Sequence, residues 1–147
     1  MKLPAGVARL LAGMPSHGSL EQAFPLLSVD AMGLPHVCLL SRAQLEPLPS
    51  GVLALVGSPG TRANIARTGV ATLIAVDEDG AHYCKLRRTH SLETPWALAA
   101  AFTLVGYKPD PSPVPLAPMA YVPDRGLEEA ERWSQGVALL GQLREHL

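Results

Sequence analysis

The sequence predicts a mainly β domain of the α+β class, with six antiparallel strands that can close into a small barrel, a short helix after the third strand and a C-terminal helix. Three observations predict it. The 14 prolines and 13 glycines are more punctuation than a helical bundle tolerates, and they suit many short strands with defined turns. Apolar segments follow one another through hairpins and short loops with no helix after each strand, which disfavours a parallel Rossmann arrangement. At 147 residues and 48% hydrophobic composition, the chain has the size of one compact domain spanning 1–147, and its apolar share excludes intrinsic disorder.

Taken in order, Val7 to Leu11 reads as a short helix, Met14 to Gly18 as a loop, and Ser19 as the cap of a brief turn through Gln22. Phe24 to Val29 and Pro35 to Leu40 are apolar runs on either side of Asp30-Ala-Met-Gly33, the pattern of a hairpin. Pro35 must open its strand or lie on an edge. Ser41 to Leu45 reads as a helical turn closed by Pro47 and Pro49, and Val52 to Val56 as the third strand between two glycines. Thr61 is a suitable N-cap and Gly69 a suitable C-cap for a helix over Arg62 to Thr68. Val70 to Val76 is continuously apolar, Asp77-Glu-Asp-Gly80 is a turn signal, and Ala81 to His90 is a strand rich in basic residues. Leu92 to Trp96 connects to a final strand, Ala97 to Tyr107, whose alanine run also has helical propensity. The alternating prolines of 109–118 form an extended strap beyond a barrel core of about 24–110. From Gly126 to the end, Leu127, Ala130, Trp133, Val137, Leu140 and Leu147 recur at helical spacing as one apolar stripe, with Trp133 as its anchor.

Charge and motif content narrow the function. Twelve basic against 13 acidic residues, a net charge of -1, lack the basic surplus of a nucleic-acid-coating protein. The apolar runs are too short to cross a membrane, and Pro4, Gly6 and Arg9 interrupt the first segment before it can be a signal-peptide core, so cytoplasmic residence is the expectation. Cys38 and Cys84 lie far apart without a CxxC companion, and the five histidines show no HxxxH or HExxH spacing, so no metal centre is predicted. No nucleophile elbow or catalytic base is evident, and no catalytic residue is assigned.

Two places carry the residues of an anion site. Gly57 to Asn64 combines small residues, the hydroxyls of Ser58 and Thr61, the guanidinium of Arg62 and the start of a helix. A capped turn with a solvated arginine uses the same residues. The basic strand places Lys85 and Arg87 on one face and His82, Arg88 and His90 on the other with Cys84 and Leu86. A solvated edge strand is the alternative there. His36, directly after the Gly33-Leu-Pro35 turn, is the histidine best placed to touch a ligand.

The order of these motifs carries a resemblance. Phe24-Pro-Leu-Leu-Ser-Val-Asp-Ala-Met-Gly-Leu-Pro-His-Val, then Ser58 to Ile65, then Arg67-Thr-Gly-Val-Ala-Thr-Leu73 and Asp79-Gly80 before a basic strand, resembles the pyridoxamine phosphate oxidase-like superfamily of flavin-binding split barrels. The resemblance covers about Phe24 to Asp110. It implies a six-stranded split barrel, a homodimer, and FMN held in two equivalent clefts at the subunit interface, with related barrels holding deazaflavin F420 or haem instead. Carried over by position, His36, Val37 and Cys38 would line the isoalloxazine. Ser58, Thr61 and Arg62 would meet the ribityl chain or phosphate, Asn64 would orient the loop, and Lys85 with Arg87 would add positive charge. It further implies an oxidoreductase acting on a small molecule; the alternatives are a non-catalytic module that binds or senses a flavin, F420 or haem, and a structural dimer with a degenerate pocket. The chain departs from the family pattern in having His36 where the better-known oxidases have an arginine, and Ser41 where they have a lysine.

Overall fold

The computed structural model covers residues 1–147. In chain order the elements are α1 (Ala5–Leu11), β1 (Glu21–Gln22), β2 (Phe24–Val29), β3 (Pro35–Leu40), a 3-10 turn (Arg42–Gln44), β4 (Leu45–Leu48) and β5 (Gly51–Val56). They continue as α2 (Pro59–Thr68), β6 (Val70–Asp77), β7 (Gly80–Glu93), β8 (Leu98–Pro111), β9 (Ala120–Tyr121), α3 (Arg125–Ala130) and α4 (Trp133–Arg144). Seven strands form one antiparallel sheet in the order β3-β2-β6-β7-β8-β5-β4, and β1 pairs with β9 in a separate ribbon.

Alternation along each strand puts one set of apolar side chains on a common face. Phe24 and Leu26 of β2, Leu73 and Ala75 of β6, Cys84 and Leu86 of β7, Phe102 and Leu104 of β8, Val52 and Ala54 of β5 and Leu45 of β4 belong to one continuous core. Strands from opposite ends of the sheet share that core, so the sheet is curled around it as a half-barrel. Leu3, Val7 and Leu11 from the α1 region and Ile65 from α2 complete it. Each large side chain buried this way contributes about 1.5–3 kcal/mol.

The outer face of β5 and β8 is covered separately. Leu53, Leu55, Ala97, Ala99 and Ala101 pack with Leu139, Leu140 and Leu143 of α4. The alanine run, which has helical propensity in isolation, is a strand, and its small side chains leave room for the helix to lie on the sheet. Gly136 serves the same approach, because a Cβ there would come within 2.7 Å of Leu55 Cδ2. The C-terminal helix therefore packs on its own chain.

Several sequence expectations are corrected by non-local pairing. The sheet has seven strands, not six, because Leu45–Leu48 extends along Gly51–Val56 as an edge strand in which Pro47 is tolerated. Ser19 does not cap a turn through Gln22; Glu21 and Gln22 pair with Tyr121 and Ala120. The strap begins later than expected, since β8 continues through Pro109 to Pro111 after its pairing with β5 ends at Thr103. The C-terminal segment is two helices rather than one. Arg132, the sole non-glycine residue with positive φ (53°), breaks it and resets the helical phase. Val137 and Leu147 consequently face solvent, and Trp133 is buried beside His17 rather than among the leucines on the sheet. In β7 a bulge between Arg88 and His90 turns His90 to the face opposite His82.

Two polar clusters tie the ends of the sheet. His82 Nδ1 lies 2.7 Å from the Tyr107 hydroxyl and Nε2 2.8 Å from Asp77 Oδ2, joining β6, β7 and β8. Arg42 Nε donates to Glu21 Oε1 at 2.8 Å while its Nη atoms donate to the carbonyls of Ala12 and Met14, pinning the N-terminal segment to the 3-10 turn. Burial alone would raise both carboxyls. Hydrogen bonds from His82 and the amides of Asp79 and Gly80 hold Asp77 below its ordinary value of 3.8, and those from Arg42 and Ser16 hold Glu21 below 4.5.

Folded-state pKa values that are depressed contribute stability above the unfolded values and lose it as pH falls through the folded ones. Denaturant titrations should therefore show a midpoint that drops as pH is lowered below about 4.5, and Asp77→Asn should flatten part of that drop. Gly51→Ala should be far more severe, because its Cβ would stand 1.8 Å from the Phe102 carbonyl oxygen. We expect a loss of about 3 kcal/mol or more in denaturant unfolding, the upper end for an overpacked core.

Candidate functional site

The start of α2 and the edge strand β3 meet at the lip of the half-barrel. Ser58 caps α2, its hydroxyl accepting from the Thr61 amide at 3.4 Å, and Pro59 occupies the first turn, where its missing N–H costs nothing. The cap is thus Ser58 and not Thr61. Gly69 ends the helix in the left-handed conformation expected of it (φ 69°).

Thr61 is fully buried and its Oγ1 has no hydrogen-bond partner. Beside it lies the half-buried Cys38, whose thiol is pushed up by burial; the Thr61 hydroxyl is near enough to offset part of that shift but does not meet hydrogen-bond geometry with the sulfur. His36, two residues earlier on the same face of β3, rests its ring on Gly60. A Cβ at that glycine would come 3.0 Å from His36 Cε1 and 3.1 Å from Nε2. His36 Nε2 is buried and also lacks a partner. Asn64 closes the back of this group, donating from Nδ2 to Ser28 Oγ at 3.0 Å and accepting from Arg67 Nη1 at 3.3 Å. Since Ser28 pairs with His36 across the hairpin, Asn64 fixes α2 to the strand pair that carries the histidine.

Arg62 points away from this group. Its Nη2 donates to the Thr94 carbonyl at 2.7 Å, its Nη1 to the Pro95 carbonyl at 3.3 Å, and Glu93 Oε1 lies 3.4 Å from Nη2. Its guanidinium is occupied by the β7–β8 turn. Alternation separates the remaining candidates. Val37, Leu27, Thr72, Lys85 and Gly106 form one row across β3, β2, β6, β7 and β8, and Cys38, Leu26, Leu73, Cys84 and Tyr107 form the adjacent row on the inner face. Val37 and Lys85 therefore stand on the outer face, where an open cleft of ≈ 500 Å³ runs past Leu27, Val29, Val70, Lys85 and Val105. No carboxylate pairs with Lys85 or with Arg87.

The structure thus brings together His36, Cys38, Ser58, Thr61 and Asn64, and sets Val37 and Lys85 apart on the opposite face, with Arg62 bound at the turn. Ser28 is a further member that sequence reasoning missed, and Gly60, expected only as one of the small residues of the Gly57–Asn64 loop, is the one that meets His36. The signal for Gly60 was its place in Ser-Pro-Gly, between a cap and a buried threonine. Chemically, the inner group presents polar atoms and a close backbone approach, and the outer face presents apolar surface with free cations. Neither set contains a carboxylate, a nucleophile activated by a base, or any group of residues able to hold a metal ion.

No sequence-family model matches the chain, and no curated protein matches it by sequence. Solved structures do match. A protein of Lactobacillus delbrueckii assigned as a pyridoxamine 5′-phosphate oxidase superimposes with a TM-score of 0.55 at 21% identity, over 73% of this chain and 93% of its own. The chain shares its fold with that protein. An FMN-binding protein from Syntrophomonas wolfei gives a TM-score of 0.51 at 15% identity, over 58% of this chain and 75% of that one. The styrene monooxygenase flavin reductase of Pseudomonas putida gives 0.54 at 8%, over 67% and 95%. No helix is long and apolar enough to cross a membrane.

Burial pushes the Cys84 thiol up to about 11 and raises that of Cys38. Both should remain protonated at pH 8 and resist alkylation by iodoacetamide in the folded protein, reacting only when denaturant is added. Because the folded pKa of Cys84 lies above the ordinary 9.0, its contribution to stability is complete below that value and is lost as pH rises towards 11.

Proposed function

We propose that the chain is a cytoplasmic, homodimeric flavoprotein that holds FMN between two copies of itself and uses it in a redox reaction on a small molecule. The observation that carries this reading is the His36–Gly60–Thr61 group, a close backbone approach flanked by two partnerless polar atoms at a helix N-terminus, in a fold shared with an FMN-binding protein and a flavin reductase.

The residues fit the group if two copies contribute. His36, Cys38 and Thr61 would lie along the isoalloxazine and ribityl chain, with Ser58 and Asn64 holding the loop in place. Lys85, with Arg87 two residues on, would neutralise the phosphate. The sheet backbone separates these sets in one copy, so the cation serving a given site is best supplied by the outer face of a second. Val29, Val37, Val70 and Val105 are exposed on that face, and leaving them in water forfeits about 25 cal/mol per Å² of apolar surface. A second copy would cover them. Bound FMN supplies hydride and electron transfer; the chain's own part is to position it, exclude water from one side and admit a substrate.

Titrating the protein with FMN should quench flavin fluorescence at one FMN per chain, and sedimentation should give a dimer. Riboflavin, which lacks the phosphate, should bind more weakly. Lys85→Ala should lower FMN affinity about tenfold, the loss of one charge-assisted contact, while leaving riboflavin affinity unchanged. Thr61→Val should weaken both flavins. Unquenched FMN, or a monomer in sedimentation, would refute the proposal, and preferential binding of F420 or haemin would reassign the cofactor.

A further inference from the structure

Beyond the end of β3 a cavity of ≈ 400 Å³ opens between β3, the β1–β9 ribbon and α3, on residues that the flavin reading does not use. Its walls are Leu39, Leu40, Met119, Ala120 and Leu127, and its polar groups are Ser41, Tyr121 and Glu131. The volume lies in the range of small-molecule pockets, and the apolar lining with few convergent polar groups is their usual composition.

Glu131 is held in place by its neighbours. Its Oε1 accepts from Ser41 Oγ at 2.9 Å and from Trp133 Nε1 at 2.8 Å. Ser41 is 3% exposed, so one of these donors is part of the protein wall. Oε2 receives no hydrogen bond and no cation is paired with the carboxylate. Of the arginines around it, Arg42 is committed to Glu21 and to two backbone carbonyls, and Arg132, next in the chain, lays its guanidinium over Trp96. Nearby, the buried Tyr121 hydroxyl lies beside Ser41 without meeting hydrogen-bond geometry; burial raises its pKa to about 12 against a small opposing effect of the Ser41 hydroxyl, so it stays a neutral hydrogen-bonding group. The pocket therefore combines an oriented negative charge with an apolar wall and offers no cation of its own.

We propose that this cavity binds a small hydrophobic amine, its ammonium on the free Oε2 of Glu131 and its apolar body against Leu39, Met119 and Leu127. A carboxylate fixed by two donors needs little reorganisation to accept a third, and a charge-assisted hydrogen bond is stronger than one between neutral groups. An anion would meet Glu131 unfavourably, and a neutral alcohol of the same shape could donate one hydrogen bond to Oε2 but would bring no positive charge.

Calorimetric titration of the full chain without flavin tests this with three probes of one shape: benzylamine, benzyl alcohol and benzoate. Benzylamine should bind at least about tenfold more tightly than benzyl alcohol, and benzoate should not bind. Glu131→Gln keeps the acceptor for Ser41 and Trp133 but removes the charge; it should abolish the preference for benzylamine with thermal unfolding little changed. Leu127→Trp should fill the cavity and abolish binding of all three. Equal affinities for benzylamine and benzyl alcohol on the unsubstituted chain would overturn the proposal whatever the variants do. So would absence of binding by a dimer whose second copy closes the cavity. Since no flavin is present, failure here leaves the FMN reading untouched, and failure of FMN to bind leaves this one intact.

Discussion

The structure rests on the burial of one face of a seven-stranded antiparallel sheet. Left flat, that face would expose Phe24, Leu26, Leu73, Leu86, Phe102 and their neighbours to water; curling brings the outer strands into the same core. Curling in turn leaves two openings, and the chain closes them with α1 and α2. The position of α2 is thus a packing requirement before it is a functional one. Ile65 must enter the core, and Ser58, Thr61 and Asn64, within about two turns of helix from it, are carried to the lip beside β3.

The same alternation that builds the core divides the candidate residues. Neighbours in a strand face opposite ways, so His36 and Cys38 share the lip while Val37 looks outward in the row of Lys85. The free cations stand on the outer face and the partnerless polar atoms on the inner one. A cofactor with an apolar ring system and a phosphate needs both, which is why the flavin reading calls for two copies.

What could be read from sequence was what depends on near neighbours. The β2–β3 hairpin follows from Asp30 and Gly33, whose Asx-type contacts are present: Asp30 Oδ1 accepts from the amides of Met32 and Leu34. The left-handed Gly69 and the Asp77–Gly80 turn were legible for the same reason. What escaped depends on partners distant in the chain. Strand β4 exists because β5 lies beside it, and β1 because β9 returns after about a hundred residues. The break at Arg132 has no glycine or proline to announce it. Arg62 had the chemistry of a phosphate ligand, and only the position of the β7–β8 turn shows where its donors go. His36 beside Gly60 is a contact between segments more than twenty residues apart.

That β7–β8 turn also receives a second arginine. Arg132, at the junction of α3 and α4, places its guanidinium carbon 5.1 Å from the centre of the Trp96 ring, while Arg62 grips the carbonyls one and two residues before it. The start of α2 and the joint between the last two helices are thus tied to the same turn through Arg62, Thr94, Pro95, Trp96 and Arg132, with Trp96 also packed against the apolar cluster beneath α4. The C-terminal helices and the start of α2, far apart in the chain, therefore share one anchorage, the β7–β8 turn.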